Sequence, residues 1–250
     1  MTKILSLIFA AFVFVACSSD NSSKQNTLRI GTEGTYNPFT YHDNSGKLVG
    51  YDVEVISEAA KRAGFVPEFY ETNWDAIFSG LNANRFDMIA NQISNNNPKR
   101  AELYTLSDPY TVTSAAVAIR ADNNTIKSLS DLNGTKIAQA TGSAYYETAV
   151  SNGANIVLVD GLAQALKAVS QGRAHGTMND NLAILNYITT TGDKNVKVAF
   201  TTGEGTRSVF LFRKELTDTR DKINIALNEM KKDGTLKKIS EKYFGKDISE

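Results

Sequence analysis

The sequence predicts an α/β protein built from two similar lobes with a cleft between them. Three observations predict it. From Thr27 onward short apolar strands alternate with amphipathic helices, the pattern of a mainly parallel sheet covered by helices. After the long apolar run Val112 to Ile119 the same alternation starts again. A chain of 250 residues is also long enough for two medium-sized cores. Clefts between such lobes are where small ligands bind, and hinge closure is the motion they permit.

The chain begins outside that fold. Lys3 and the apolar run Ile4 to Ala16 have the order of an export signal and are too short to span a bilayer, so residues 1–16 are read as a signal peptide. Cys17, the only cysteine, follows at once, and Ser18-Ser19-Asp20-Asn21-Ser22-Ser23 continues as a polar tether. Residues 17–26 are therefore read as a lipidated Cys and its tether. Phe14-Val15-Ala16-Cys17 resembles a bacterial lipobox, with Phe where Leu is usual, and a lipid there would anchor a soluble domain at a membrane surface. The alternative is a plain secretory signal with an incidental Cys. No second cysteine exists for an intrachain disulfide, so the core must hold the fold.

Element by element, Thr27 to Thr32 is the first strand, and Glu33 to Tyr41 is a loop rich in aromatics and turn formers. Lys47 to Tyr51 is a short edge strand. Asp52 is placed as a helix cap, with Val53, Ile56, Ala60 and Ala63 on one buried face up to Gly64. Val66 to Tyr70 is a strand, and Asn73 caps a helix that turns Ile77, Phe78 and Leu81 inward. Phe86 to Ala90 is the third strand, followed by the polar residues Asn91, Gln92 and Ser94 and by Arg100 in a short helical turn. A guanidinium beside hydrogen-bonding groups at a strand end suits a carboxylate, because its planar fork pairs with both oxygens. On this stretch alone, a solvated loop with a surface arginine explains the residues as well.

In the second half, Leu129 to Leu132 is a short helix, Lys136 to Gln139 a strand, Ala144 to Ser151 a helix and Ile156 to Val159 a strand. Leu162 to Gln171 is a helix, Gly176 to Asn179 a strand, and Asp180 caps the next helix. Val196 to Phe200 and Ser208 to Phe212 are two further strands, and Thr217 to Phe244 is helical with a break at Asp233-Gly234. Lys+Arg and Asp+Glu both number 27, so the net charge is zero and gives no electrostatic footprint for nucleic acid.

Taken in order, GTEGTYNPFTY, GKLVGYDVEVISEAAKRAG, WDAIFSGLNANRFDMIANQIS, KRAELYTLSDPY, LNGTKIAQATGSAYYE and ALNEMKKDGTLKKISEKYFG resemble the bacterial extracellular solute-binding proteins of family 3, the polar amino-acid receptors of ABC importers. The resemblance covers about Thr27 to Gly245. It implies a type II periplasmic-binding-protein-like fold, with residues 27–113 and 209–250 in lobe 1, residues 114–208 in lobe 2, and a two-strand hinge. It also implies a monomer that captures an L-amino acid, without cofactor or metal, and passes it to a membrane permease. The protein would be exported and held by the lipid on Cys17 in the periplasm or on the outer face of the cell membrane. EGTY with PF, WD and NQI are most similar to the cystine and cysteine branch.

Carried over residue by residue, the resemblance implies that Tyr36 and Trp74 cover the ligand side chain, although both also suit a plain core. Ser94 and Arg100 would hold the α-carboxylate with Gln92 nearby, and Thr141, Gly142 and Ser143 would complete that site at a helix N-terminus. Asp180 would take the α-ammonium, against its reading as a helix cap only, and Glu33 would contact the amine or side chain. Between Gln92 and Arg100 the family usually has one residue fewer than the run Asn95-Asn96-Asn97 supplies here, and the extra residue is expected after Ser94. The competing function is a periplasmic dehydratase-type enzyme on the same scaffold, for which only Glu33 and Asp180 are candidate acids or bases. His42 and His175 are far apart in sequence and are read as incidental.

Overall fold

Two β-α-β units seed the two halves of the molecule, and long strands tie them together. The computed structural model describes residues 26–249, so the signal peptide, Cys17 and its lipobox lie outside the described residues. The first half contains β1 (Thr27–Thr32), a small antiparallel sheet of β2 (Thr35–Tyr36), β3 (Thr40–His42) and β4 (Leu48–Val49), α1 (Tyr51–Arg62), β5 (Val66–Glu71), α2 (Trp74–Asn82), β6 (Met88–Ser94), α3 (Pro98–Leu103) and β7 (Tyr104–Leu106). The second half contains β8 (Thr111–Arg120), a 3-10 turn at Leu129–Leu132, β9 (Lys136–Gln139), α4 (Ala144–Ser151), β10 (Asn155–Leu158), α5 (Gly161–Ser170), β11 (Gly176–Asp180) and α6 (Asn181–Thr191). The strand β12 (Val196–Arg213) then returns to the first half, where α7 (Thr217–Lys232) and α8 (Thr235–Phe244) pack against α1.

The main sheet has the order β10-β9-β11-β8-β12-β6-β1-β5, with β7 also on β12. Each end is a parallel triplet, β5-β1-β6 and β10-β9-β11, as crossover helices require. In the middle, β8 and β12 run antiparallel to each other, β8 against β11 and β12 against β6. They are the two connections that pass between the halves.

Helices on both faces of the sheet bury its strands on both sides. In β6 the period of two is visible in the packing. Met88 and Ala90 join Val55, Ile56 and Ala59 of α1 on one face, while Ile89 and Ile93 join Ile77 and Leu81 of α2 on the other. A third core under α4 holds Ile126, Leu132, Ile137, Ala149 and Met178. Among the described residues no helix is long and apolar enough to cross a membrane.

Several expectations are corrected. The strand expected at Phe86 to Ala90 runs instead from Met88 to Ser94, so Asn91, Gln92 and Ser94 lie within it, because β1 and β12 offer pairing partners on either side. The strands expected at 196–200 and 208–212 are one, with its register broken between Thr201 and Gly205. Asp52 is not a helix cap. Gly50 holds that position at φ 134°, where an added Cβ would lie 2.2 Å from Phe39 O, and Asp52 turns its carboxylate inward from the first turn. With the helix starting there, Val55, Ile56, Ala59 and Ala60 form the buried stripe, and Val53 and Ala63 are only half-buried. The break at Asp233-Gly234 stands as expected, with Gly234 at φ 79°.

Candidate ligand-binding site

Where the two halves face each other, a cavity of about 590 Å3, counting its mouth, opens between β1, β6 and α2 on one side and β9, α4, α5 and β11 on the other. Glu33, Tyr36, Trp74, Gln92, Ser94, Arg100 and Ser143 line it, as the resemblance implies. Asn91, Gln139, Ala140, Tyr145, Leu162, Ala165, Thr177 and Asn179 line it too. Thr141, Gly142 and Asp180 are not among the lining residues.

Arg100 is brought to the cavity by α3. Asn97 caps that helix by accepting the N–H of Lys99 at 3.0 Å, and Pro98 fills the first turn, where no N–H partner is needed. Arg100 is 5% exposed, and its guanidinium lies 5.5 Å from the Phe78 ring centre and donates to Ser94 O at 2.7 Å and Gly142 O at 2.8 Å. Burial lowers its pKa to about 10, so it stays a cation at neutral pH. Among the described residues no carboxylate pairs with it, and three of its five N–H groups are left for another partner. The chain turns at Asn95-Asn96 only after Ser94, which stays in β6 opposite Ser208.

Among the described residues one carboxylate lines the cavity. Glu33 follows β1, its N–H donates to Asn91 Oδ1 at 2.9 Å, and Asn91 Nδ2 donates back to Glu33 Oε2 at 2.5 Å. Although Glu33 keeps some access through the cavity, burial raises its pKa to about 7, with the Asn91 bond pulling the other way. Asn91 lines the cavity, whereas local sequence pattern places it only after a strand. Its alternation with Gln92 on a strand next to β1 would have been the signal.

Asp180 ends β11 and caps α6, accepting from Leu182 N at 2.8 Å and Ala183 N at 3.3 Å through Oδ1 and from the Thr113 hydroxyl through Oδ2. Burial raises its pKa to about 6 against those hydrogen bonds. Three donors occupy about three of the roughly four acceptor sites of a carboxylate, leaving about one. Capping and a further contact are therefore compatible.

The halves also touch directly. Tyr36 Oη donates to Asn179 Oδ1 at 2.5 Å, Trp74 Nε1 donates to Thr141 O at 2.8 Å, and Thr141 Oγ1 donates to Asp75 Oδ1 at 3.0 Å. With the Arg100 bond to Gly142, these contacts make Thr141 and Gly142 parts of the rim that seals the cleft. Ser143 caps α4 by accepting Tyr146 N–H at 3.0 Å, and Ser143, Ala144 and Tyr145 at the start of that helix line the cavity. A buried cation, one lining carboxylate and the rings of Tyr36, Trp74 and Tyr145 give the cavity groups complementary to a small zwitterion.

Over the whole length of both, the chain is 47% identical to the L-cystine-binding protein TcyA of Bacillus subtilis. It is 44% identical to the L-cystine solute receptor of Neisseria gonorrhoeae in its unliganded open conformation, covering 91% of this chain and 96% of that one, with a TM-score of 0.60. An ancestral arginine-binding protein bound to arginine is less similar in sequence, at 34% identity, yet superposes with a TM-score of 0.82 over 88% of this chain and 99% of its own. Residues 28–246 match the family model of bacterial extracellular solute-binding proteins, family 3, and with the full-length relatives this places the chain in that family.

Proposed function

We propose that this protein captures an L-amino acid, with L-cystine or L-cysteine the favoured ligand, and delivers it to the permease of an ABC importer. The observation that carries the reading is Arg100, a nearly buried cation with no carboxylate partner among the described residues, facing an enclosed cavity whose other wall holds Glu33. In this reading the α-carboxylate lies against Arg100, Ser94 Oγ and the N-terminal N–H groups of α4 around Thr141, Gly142 and Ser143. Asp180 stands by the ammonium, and Gln92, which the resemblance puts near the carboxylate, is set by the ammonium instead because its amide oxygen is unpaired. Tyr36 and Trp74 flank the side chain, and Glu33 reaches its far end. Closure about β8 and β12, with residues 27–113 and 209–250 as one lobe and 114–208 as the other, buries the zwitterion and marks the loaded form for the permease.

Cystine and cysteine are favoured because TcyA and the gonococcal receptor, the relatives of 47% and 44% identity, are both named for L-cystine. The protein acts as an exported monomer, tethered through a lipid on Cys17. A dehydratase-type activity is less supported, since the relatives are binding proteins and three donors already engage Asp180, one of its two candidate acids. Isothermal calorimetry against a panel of L-amino acids tests the proposal. Saturable heat with L-cystine or L-cysteine is expected, and silence with every α-amino acid would overturn it.

A further inference from the structure

Gln92 has a backbone that its position in a strand does not explain. Its φ is 48°, and Asn84, in a turn, is the only other described non-glycine residue in that region. A side chain holds the left-handed conformation only where its surroundings over-determine it. Here the surroundings are a bulge and a buried acid. Between the pairs Ile93–Val209 and Ile89–Leu211, three residues of β6 stand opposite Phe210 alone, and such bulges re-aim side chains. Asp52, fully buried on α1, accepts the Gln92 N–H through Oδ2 and the Gln92 side-chain Nε2 through Oδ1, each at 2.7 Å.

Those bonds set which end of the amide is left without a partner. Ionised, Asp52 only accepts, so the amide nitrogen then faces it and the oxygen faces away. The second hydrogen on Nε2 is directed to the hydroxyls of Tyr110 and Thr111, each 3.4 Å away. Gln92 Oε1 is buried without a hydrogen-bond partner among the described residues, and Gln92 lines the cavity. An unpaired buried acceptor is costly unless a donor arrives.

We propose that Asp52 is a positioning residue for recognition, holding Gln92 left-handed with its nitrogen turned inward so that Oε1 accepts a hydrogen bond from the ligand's ammonium. The proposal rests on the amino-acid-binding reading above. An ammonium carries three donors, and Asp180 has about one acceptor site left for them, so a second acceptor is needed. Asp52 thereby makes this wall of the cavity selective for N–H groups and unfavourable to a carboxylate oxygen, although it never touches the ligand itself.

Three measurements test it. In calorimetric titrations with the amino acid that binds most tightly in the panel, Asp52→Asn and Gln92→Ala are each expected to weaken binding about tenfold. The double variant is expected to be no weaker than the poorer single one, because Asp52 acts only through Gln92. Multiplying losses, or wild-type affinity in Asp52→Asn, would overturn the proposal. The loss in Gln92→Ala should fall on the amino acid and not on its analogue without the amino group (dithiodipropionate if the ligand is cystine), measured by competition. Equal losses for both would overturn it. Finally, 1H–15N spectra of the ligand-free protein should show the Gln92 backbone N–H shifted downfield and slow to exchange, with the shift lost in Asp52→Asn. Its absence in wild type would overturn the clamp, whereas wild type that binds no α-amino acid would overturn the proposed function instead.

Discussion

Arg100 donates one guanidinium N–H to Ser94 O in its own half and another to Gly142 O across the cleft, at 2.7 and 2.8 Å. The same side chain that the proposed reading sets against the ligand carboxylate thus also fastens the two halves together. Removing it should cost affinity twice, through the lost charge and through a looser closed form. Arg100→Ala is expected to weaken amino-acid binding at least about a hundredfold, about 3 kcal/mol. Arg100→Lys should recover little of this, since an ammonium cannot span the same set of acceptors. Calorimetry on both variants checks it, and near-native affinity in either would remove Arg100 from the site.

Tyr36 makes a latch that contributes to closure without a charge. Its hydroxyl reaches Asn179 Oδ1 from the opposite half, and Tyr36→Phe deletes that bond while keeping the ring. The expected loss is about 1 kcal/mol, close to a fivefold to tenfold weaker Kd. Small-angle scattering should show the ligand-free variant more open than the wild type.

Asn97 positions Arg100 at one remove, by capping α3 through Lys99 N–H. Asn97→Ala should cost about 1 kcal/mol of folding stability. Chemical denaturation would measure this as a lower midpoint with an unchanged slope. Asn95 and Asn96, exposed in the turn before it, should tolerate alanine with changes within about 0.5 kcal/mol.

Burial raises the pKa of Glu33 and Asp52 to about 7 and that of Asp180 to about 6, above the ordinary carboxyl value near 4. Between about pH 4 and pH 7 the folded protein therefore binds more protons than the unfolded chain. The contribution of these groups to stability is fully present below about pH 4 and is lost as the pH rises through 6 to 7. Thermal melts of the ligand-free protein should give a higher Tm near about pH 5.5 than near about pH 8, with a smaller difference in Asp52→Asn. An ammonium favours ionised carboxylates, so ligand binding near neutral pH should release protons. Calorimetry in buffers of different ionisation enthalpy measures that release.

Most of the elements were legible because local patterns encode them. The strand Lys136–Gln139 and the helix Ala144–Ser151 fall where alternation and helical spacing place them, with Ser143 as the cap. The limits of β6 were not legible, because Asn91 and Gln92 read locally as the end of a strand. Their place inside it depends on β1 and β12 lying on either side. Asp52 misled for a related reason, since a carboxylate at a helix start has the composition of a cap whether it turns to the helix or into the core.

The sequence by itself determined the alternation of strands and helices, its doubling into two halves, the family and seven of the residues that line the cavity. Only the tertiary structure decided which of those residues act on one another. Asp52 meets Gln92 across 40 residues of chain, Asn91 meets Glu33 across 58, and Tyr36 meets Asn179 across 143. Helix and strand patterns repeat within a few residues and can be read locally. Those three hydrogen bonds, by contrast, form only after the sheet has ordered its strands and the two halves have met.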